Sequence, residues 1–131
     1  MKMTVAVGLL TVFTICYAGT QKGGANDVLL APTGLSKAGD SIDIDSVIYT
    51  LYINKKCPLP IVNAEHMRLF ESRVEGAKTS GCWGMLLGDS VLLIDPDGTQ
   101  NQMARAVFGR ATLQPDGTAK LQYPSYGQYH P

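Results

Sequence analysis

SIDIDSVIYTLYINKKC, residues 41–57, decides the fold class. Ile42 and Ile44, then Val47, Tyr49, Leu51 and Ile53, alternate with Asp43, Ile48, Thr50 and Tyr52, a two-residue period rich in β-branched and aromatic side chains. That pattern predicts the clearest strand in the chain. The change of phase at Asp45-Ser46 predicts a bulge or turn. Cys57-Pro58-Leu59-Pro60 ends the strand, because each proline removes a ladder donor.

Downstream the period lengthens. Asn63 can cap a helix whose inward face is Ala64, Met67, Phe70 and Val74, with Arg68, Glu71 and Glu75 outward and Gly76 as the stop. After Ala77-Lys78-Thr79-Ser80-Gly81, short apolar runs (82–87, 91–94, 103–108, 111–113 and 120–123) are separated by turn residues. PDGT occurs twice, at Pro96–Thr99 and Pro115–Thr118. Proline presets the first turn position, aspartate bonds back to the backbone and glycine takes the positive φ of the following bulge, so each copy predicts a hairpin. Upstream, the run Val28 to Ala31 ends at Pro32 and reads as an edge strand followed by a loop. The expected fold is one small α+β domain, an antiparallel β-meander covered by one helix.

The amino terminus, MKMTVAVGLLTVFTICYA, has a lysine at position 2, an uncharged apolar stretch from Val5 to Tyr17, and small residues at Cys16 and Ala18. This is the anatomy of a secretory signal peptide spanning residues 1–18, cut before Gly19. About 13 apolar residues are too few for a bilayer core that needs about 20, so no stable membrane span is expected after cleavage. The alternative of a lipoprotein acylated at Cys16 meets bulky residues, Phe13-Thr14-Ile15, where such signals carry small ones. Cleavage leaves Cys57 and Cys82, and an even pair in an exported chain predicts a disulfide. Closing that loop is worth about 3 kcal/mol in the chain-entropy account. Trp83, beside Cys82, is expected to pack on the bridge. The expected organisation is therefore a signal peptide (1–18), a mobile Gly-rich leader (19–26), the α+β domain (27–123) and a Tyr/Pro-rich tail (124–131).

Composition narrows function. Eleven Lys and Arg balance eleven Asp and Glu, and charged residues make up 17% of the chain, so no basic patch that would displace counterions is expected, and no nucleic-acid partner. Ser80-Gly81-Cys82-Trp83 echoes the cysteine region of papain-like proteases, but a bridged Cys82 cannot attack and the only downstream histidine is His130. Asp95 and Asp97 sit in or beside a turn, where aspartates serve their own backbone. His66 and His130 are too few for a metal, no calcium-loop ligands follow Asp95, and no phosphate-cradling glycine motif or nucleophile elbow occurs. No enzyme and no cofactor are expected. Tyr123, Tyr126 and Tyr129, three apart among Pro, Gly and Gln, would share one side of a polyproline-II ribbon. Together with Tyr49 or Tyr52, whichever faces outward, they are the candidate partner-binding aromatics.

The succession signal peptide, strand ending in Cys57-Pro58, helix, Gly81-Cys82-Trp83, apolar strand, Asp97-Gly98, then a strand with Phe108 resembles a loose group of small exported proteins of tailed phages and prophages, over roughly residues 47 to 110. The resemblance implies paired cysteines and a role outside the cytoplasm, secreted or periplasmic. The expected function is a non-enzymatic module that binds a protein or envelope component. The alternatives are a structural phage-particle component of the decoration, cement or tail type, and a small envelope hydrolase using Glu71, Asp95 or Asp97.

Overall fold

A computed structural model describes residues 8 and 24–125. Its framework is a nine-stranded antiparallel sheet: β1 (Asp27–Ala31), β2 (Ser41–Asp43), β3 (Tyr49–Lys56), β4 (Arg68–Val74), β5 (Ala77–Leu86), β6 (Ser90–Ile94), β7 (Gln100–Ala104), β8 (Gly109–Leu113) and β9 (Thr118–Tyr123). The spatial order is β2-β9-β8-β1-β3-β4-β5-β6-β7. From β3 to β7 the chain is a meander; the one expected over residues 82–123 holds only as far as β7, because β8 and β9 pair with β1 and β2 instead.

The ladder returns toward its own start. β8 and β7 lie six places apart in that order, about 29 Å across a flat sheet at about 4.8 Å per strand. Only residues 105–108 join them, a reach of about 18 Å at full extension. The sheet therefore rolls up, with β7 and β8 acting as two halves of one bent strand at a corner. Leu29, Ala31, Leu51, Phe70, Trp83, Val91, Leu93 and Phe108 fill the inside. The outer face of β1, β3 and β8 buries a second cluster, Val28, Leu30, Tyr52 and Ala111 against Ile42, Ile44, Val47, Ala119 and Leu121.

Several expectations are corrected. Among the described residues there is no α-helix: Ala64–His66 is a single 3-10 turn and Arg68–Val74 is β4. Asn63 lies in the left-handed region at φ 63° and makes no side-chain cap. Helical spacing is a weak local preference, and here it yields to pairing with strands on both sides, β3 and β5. Gly76 is no helix stop but the second residue of a two-residue hairpin turn, Glu75 at φ 51° and Gly76 at φ 78°, between the paired Val74 and Ala77. Two consecutive positive φ values are what a tight hairpin with native twist requires. The segment 77–81, expected as a connector, is the first half of β5.

β1 is not at an edge. It pairs with β3 on one side and β8 on the other, and all five of its residues are buried. The expected turn at Asp45-Ser46 is a 3-10 turn, Ile44–Ser46, where the Asp43 carboxylate accepts from the Asp45 N–H at 3.0 Å. Both PDGT segments form hairpins as expected. Asp97 accepts from the Thr99 N–H at 2.9 Å and Asp116 from the Thr118 N–H at 3.0 Å, with Gly98 and Gly117 at φ 89° and 85°.

Candidate functional site

Cys57 and Cys82 are bonded, with Cα atoms 5.0 Å apart. Cys57 follows β3 and Cys82 lies mid-β5, so the bridge spans β4 and pins the neck of the loop 58–66. Side chains alternate along a strand, so Trp83 points to the face opposite the sulfur. It joins the inner cluster rather than covering the bridge.

The candidate tyrosines are distributed by the same alternation. Tyr49 points inward and meets Phe108 edge-on, with ring centroids 6.5 Å apart. Tyr52 points outward but is only 8% exposed beneath the outer cluster. Its hydroxyl donates to Glu71 Oε2 at 3.2 Å; burial, then the Glu71 charge, pushes its pKa up to about 12. Tyr123 is the last residue of β9, half-buried, and accepts from Arg105 Nη2 at 2.9 Å. Tyr126, Tyr129 and His130 lie outside the described residues. The packed chain runs past Tyr123: Ser125 is fully buried and its N–H donates to Thr33 Oγ1 at 3.3 Å. At the other end, the Gly24 and Asn26 carbonyls of the expected leader accept from Asn54 Nδ2 at 2.6 Å and the Leu113 N–H at 2.8 Å.

Two polar networks hold the charged groups that the sheet buries. Asp27 accepts from Arg110 Nη2 at 2.7 Å, from Thr112 Oγ1 at 3.1 Å and from Gln122 Nε2 at 3.2 Å. Burial pushes the Asp27 carboxyl up, but the hydrogen bonds from Arg110, Thr112 and Gln122, with the Arg110 charge, outweigh it and hold the pKa below the ordinary range. On the outer face Glu71 Oε2 meets Arg73 Nη2 at 3.2 Å and Lys78 Nζ at 3.3 Å, and Arg73 Nε reaches Asp45 at 3.3 Å. Among the described residues every buried side-chain nitrogen and oxygen has a partner. Glu71, a candidate acid of the hydrolase alternative, is thus engaged by Tyr52, Arg73 and Lys78. Asp97 is held below the ordinary carboxylate range by the Thr99 N–H and hydroxyl. No group of three or more His, Cys, Asp or Glu side chains that could hold a metal occurs among the described residues.

One open surface feature was not disclosed by the sequence. Lys56 on β3 pairs in register with Arg68 on β4, and Arg68 with Trp83 on β5. This brings Lys55, Lys56 and Arg68 together around an open depression of about 420 Å³, completed by Glu65, His66 and Met67. The Arg68 guanidinium lies over the buried Trp83 ring, 5.7 Å from its centroid, and the Lys55 ammonium over Tyr52 at 4.3 Å. A second depression shares His66 and Arg68 and continues across Gly84 to Met85. Lys55-Lys56 stands as a pair in the sequence, but Arg68, twelve positions on, reaches it only through strand register.

Comparison with protein-family models, curated proteins and solved structures gives no match. No helix among the described residues is long and apolar enough to cross a membrane.

Proposed function

We propose that the chain is an exported, non-enzymatic binding module that acts on a protein or envelope component outside the cytoplasm, in the manner of the small phage and prophage products it resembles. One observation carries this reading. The buried acids and bases are consumed in structural pairs, while the open depression gathers the three cations Lys55, Lys56 and Arg68, with Glu65 and His66 of its lining 3.6 Å from each other, and so offers a charged surface for contact. The disulfide accords with an oxidising compartment.

The experiment has two readouts. Mass spectrometry of exported protein is expected to show a chain beginning at Gly19 with Cys57 and Cys82 oxidised; an intact Met1 or an acylated Cys16 would overturn the export route. Affinity capture with the mature form from an envelope extract is expected to retain a specific component. Recovery chiefly in assembled particles would favour the structural phage-component alternative, and turnover of an envelope polymer would favour the hydrolase.

A further inference from the structure

We propose that the envelope component is an anionic lipid bilayer, contacted by the end of the rolled sheet where Lys55, Lys56 and Arg68 converge. This rests on the binding-module reading and gives it a ligand class.

The cations stand between two protruding loops with apolar tips. The β5–β6 hairpin extends beyond the Arg68–Trp83 pair through Met85 and Leu86 to Leu87, which are 50%, 37% and 100% exposed. The loop 58–66 leaves the same end of the sheet from the neck where the Cys57 N–H bonds the Met67 carbonyl, and carries Val62 at 87% exposure. Leu87 is followed by Gly88 and Asp89, both at positive φ, so a tight turn holds the leucine out.

Folding hides apolar side chains of this size wherever it can, and a fully exposed leucine on a projecting turn is stabilised by nothing within the chain. A protein partner takes such residues best into complementary pockets. A bilayer accepts any protruding apolar tip, and its anionic headgroups match cations set behind the tips. The bridge between Cys57 and Cys82 pins the neck of the 58–66 loop to β5, holding the two tips at one end.

The test is flotation of the mature protein with vesicles of phosphatidylcholine alone or with about one third phosphatidylglycerol. Binding is expected only to the anionic vesicles and should weaken with added salt. K55Q/K56Q should lower affinity about fivefold for each lysine removed, and V62S/L87S about tenfold or more, with unchanged thermal unfolding in both. Equal binding to neutral vesicles overturns the electrostatic half. Loss of binding in K55Q/K56Q but not in V62S/L87S, with equal capture of soluble polyglutamate, replaces the bilayer by an anionic polymer. No flotation while envelope capture still retains a specific protein overturns the lipid proposal and leaves the binding-module reading standing.

Discussion

Trp83 Nε1 donates to the backbone carbonyl of Tyr52 at 2.9 Å, across 31 positions of sequence. Tyr52 lies on β3 and Trp83 on β5, with β4 between them, so the indole crosses beneath a whole strand inside the roll. The carbonyl falls where β3 and β4 shift register between Leu51 and Lys56. A bulge interrupts a ladder and leaves backbone groups in need of other partners, and this one is met by the tryptophan.

Replacing that indole tests the bond separately from the bulk. Trp83→Phe should destabilise by about 1–3 kcal/mol beyond the lost contact area, because the Tyr52 carbonyl stays buried without its donor. Urea unfolding followed by circular dichroism measures it. Loss of no more than the area difference would assign the carbonyl another partner.

Gly81 faces Phe70 across the β4–β5 ladder. A Cβ there would meet the Ile94 carbonyl and the Phe70 ring, with Phe70 Cζ at 2.7 Å. Gly81→Ala is expected to cost about 1–3 kcal/mol or more through overpacking. Adding Phe70→Leu should restore only part of it, since the backbone carbonyl cannot retreat. The double-mutant comparison by thermal unfolding decides this.

Leu29 and Leu30 are neighbours on β1 that enter opposite clusters, at 3% and 0% exposure. Leu29→Ala and Leu30→Ala should each cost about 2–5 kcal/mol. On an edge strand with one wet face, one of the pair would be nearly silent. Chemical denaturation of both variants separates the two arrangements.

Asp27 is ionised more readily in the folded chain than in the unfolded one, where an aspartate titrates near about 3.9. Its contribution is thus fully present above about pH 4 and is lost as pH falls through the lower native value. Asp27→Asn should reduce stability at pH 7 and flatten the acid limb of the stability curve. Unfolding midpoints in urea at pH 7 and pH 3 show whether the difference between variant and parent shrinks on acidification, as expected.

The sequence alone determined what depends on neighbours in the chain. The β3 alternation, the two PDGT hairpins and the turn at Asp45-Ser46 are local chemistry, and each lies where its residues indicate. The cysteine pair was legible too, because only two remain after the expected cleavage and both partners lie in the ordered domain. The segment 64–74 went the other way. Its apolar residues satisfy a helical period, but Phe70 and Ser72 satisfy a strand period equally well, and only flanking strands on both sides choose between them. The Val28–Ala31 run was read through Pro32 as an edge. Its lack of alternation is instead the mark of a strand buried on both faces, which the roll of the sheet and the 105–108 corner supply. Lys55, Lys56 and Arg68 likewise meet by register and not by spacing. Which residues share a surface is decided by pairing between distant strands, whose free energy is cooperative over the whole sheet and has no counterpart in any short window of the chain.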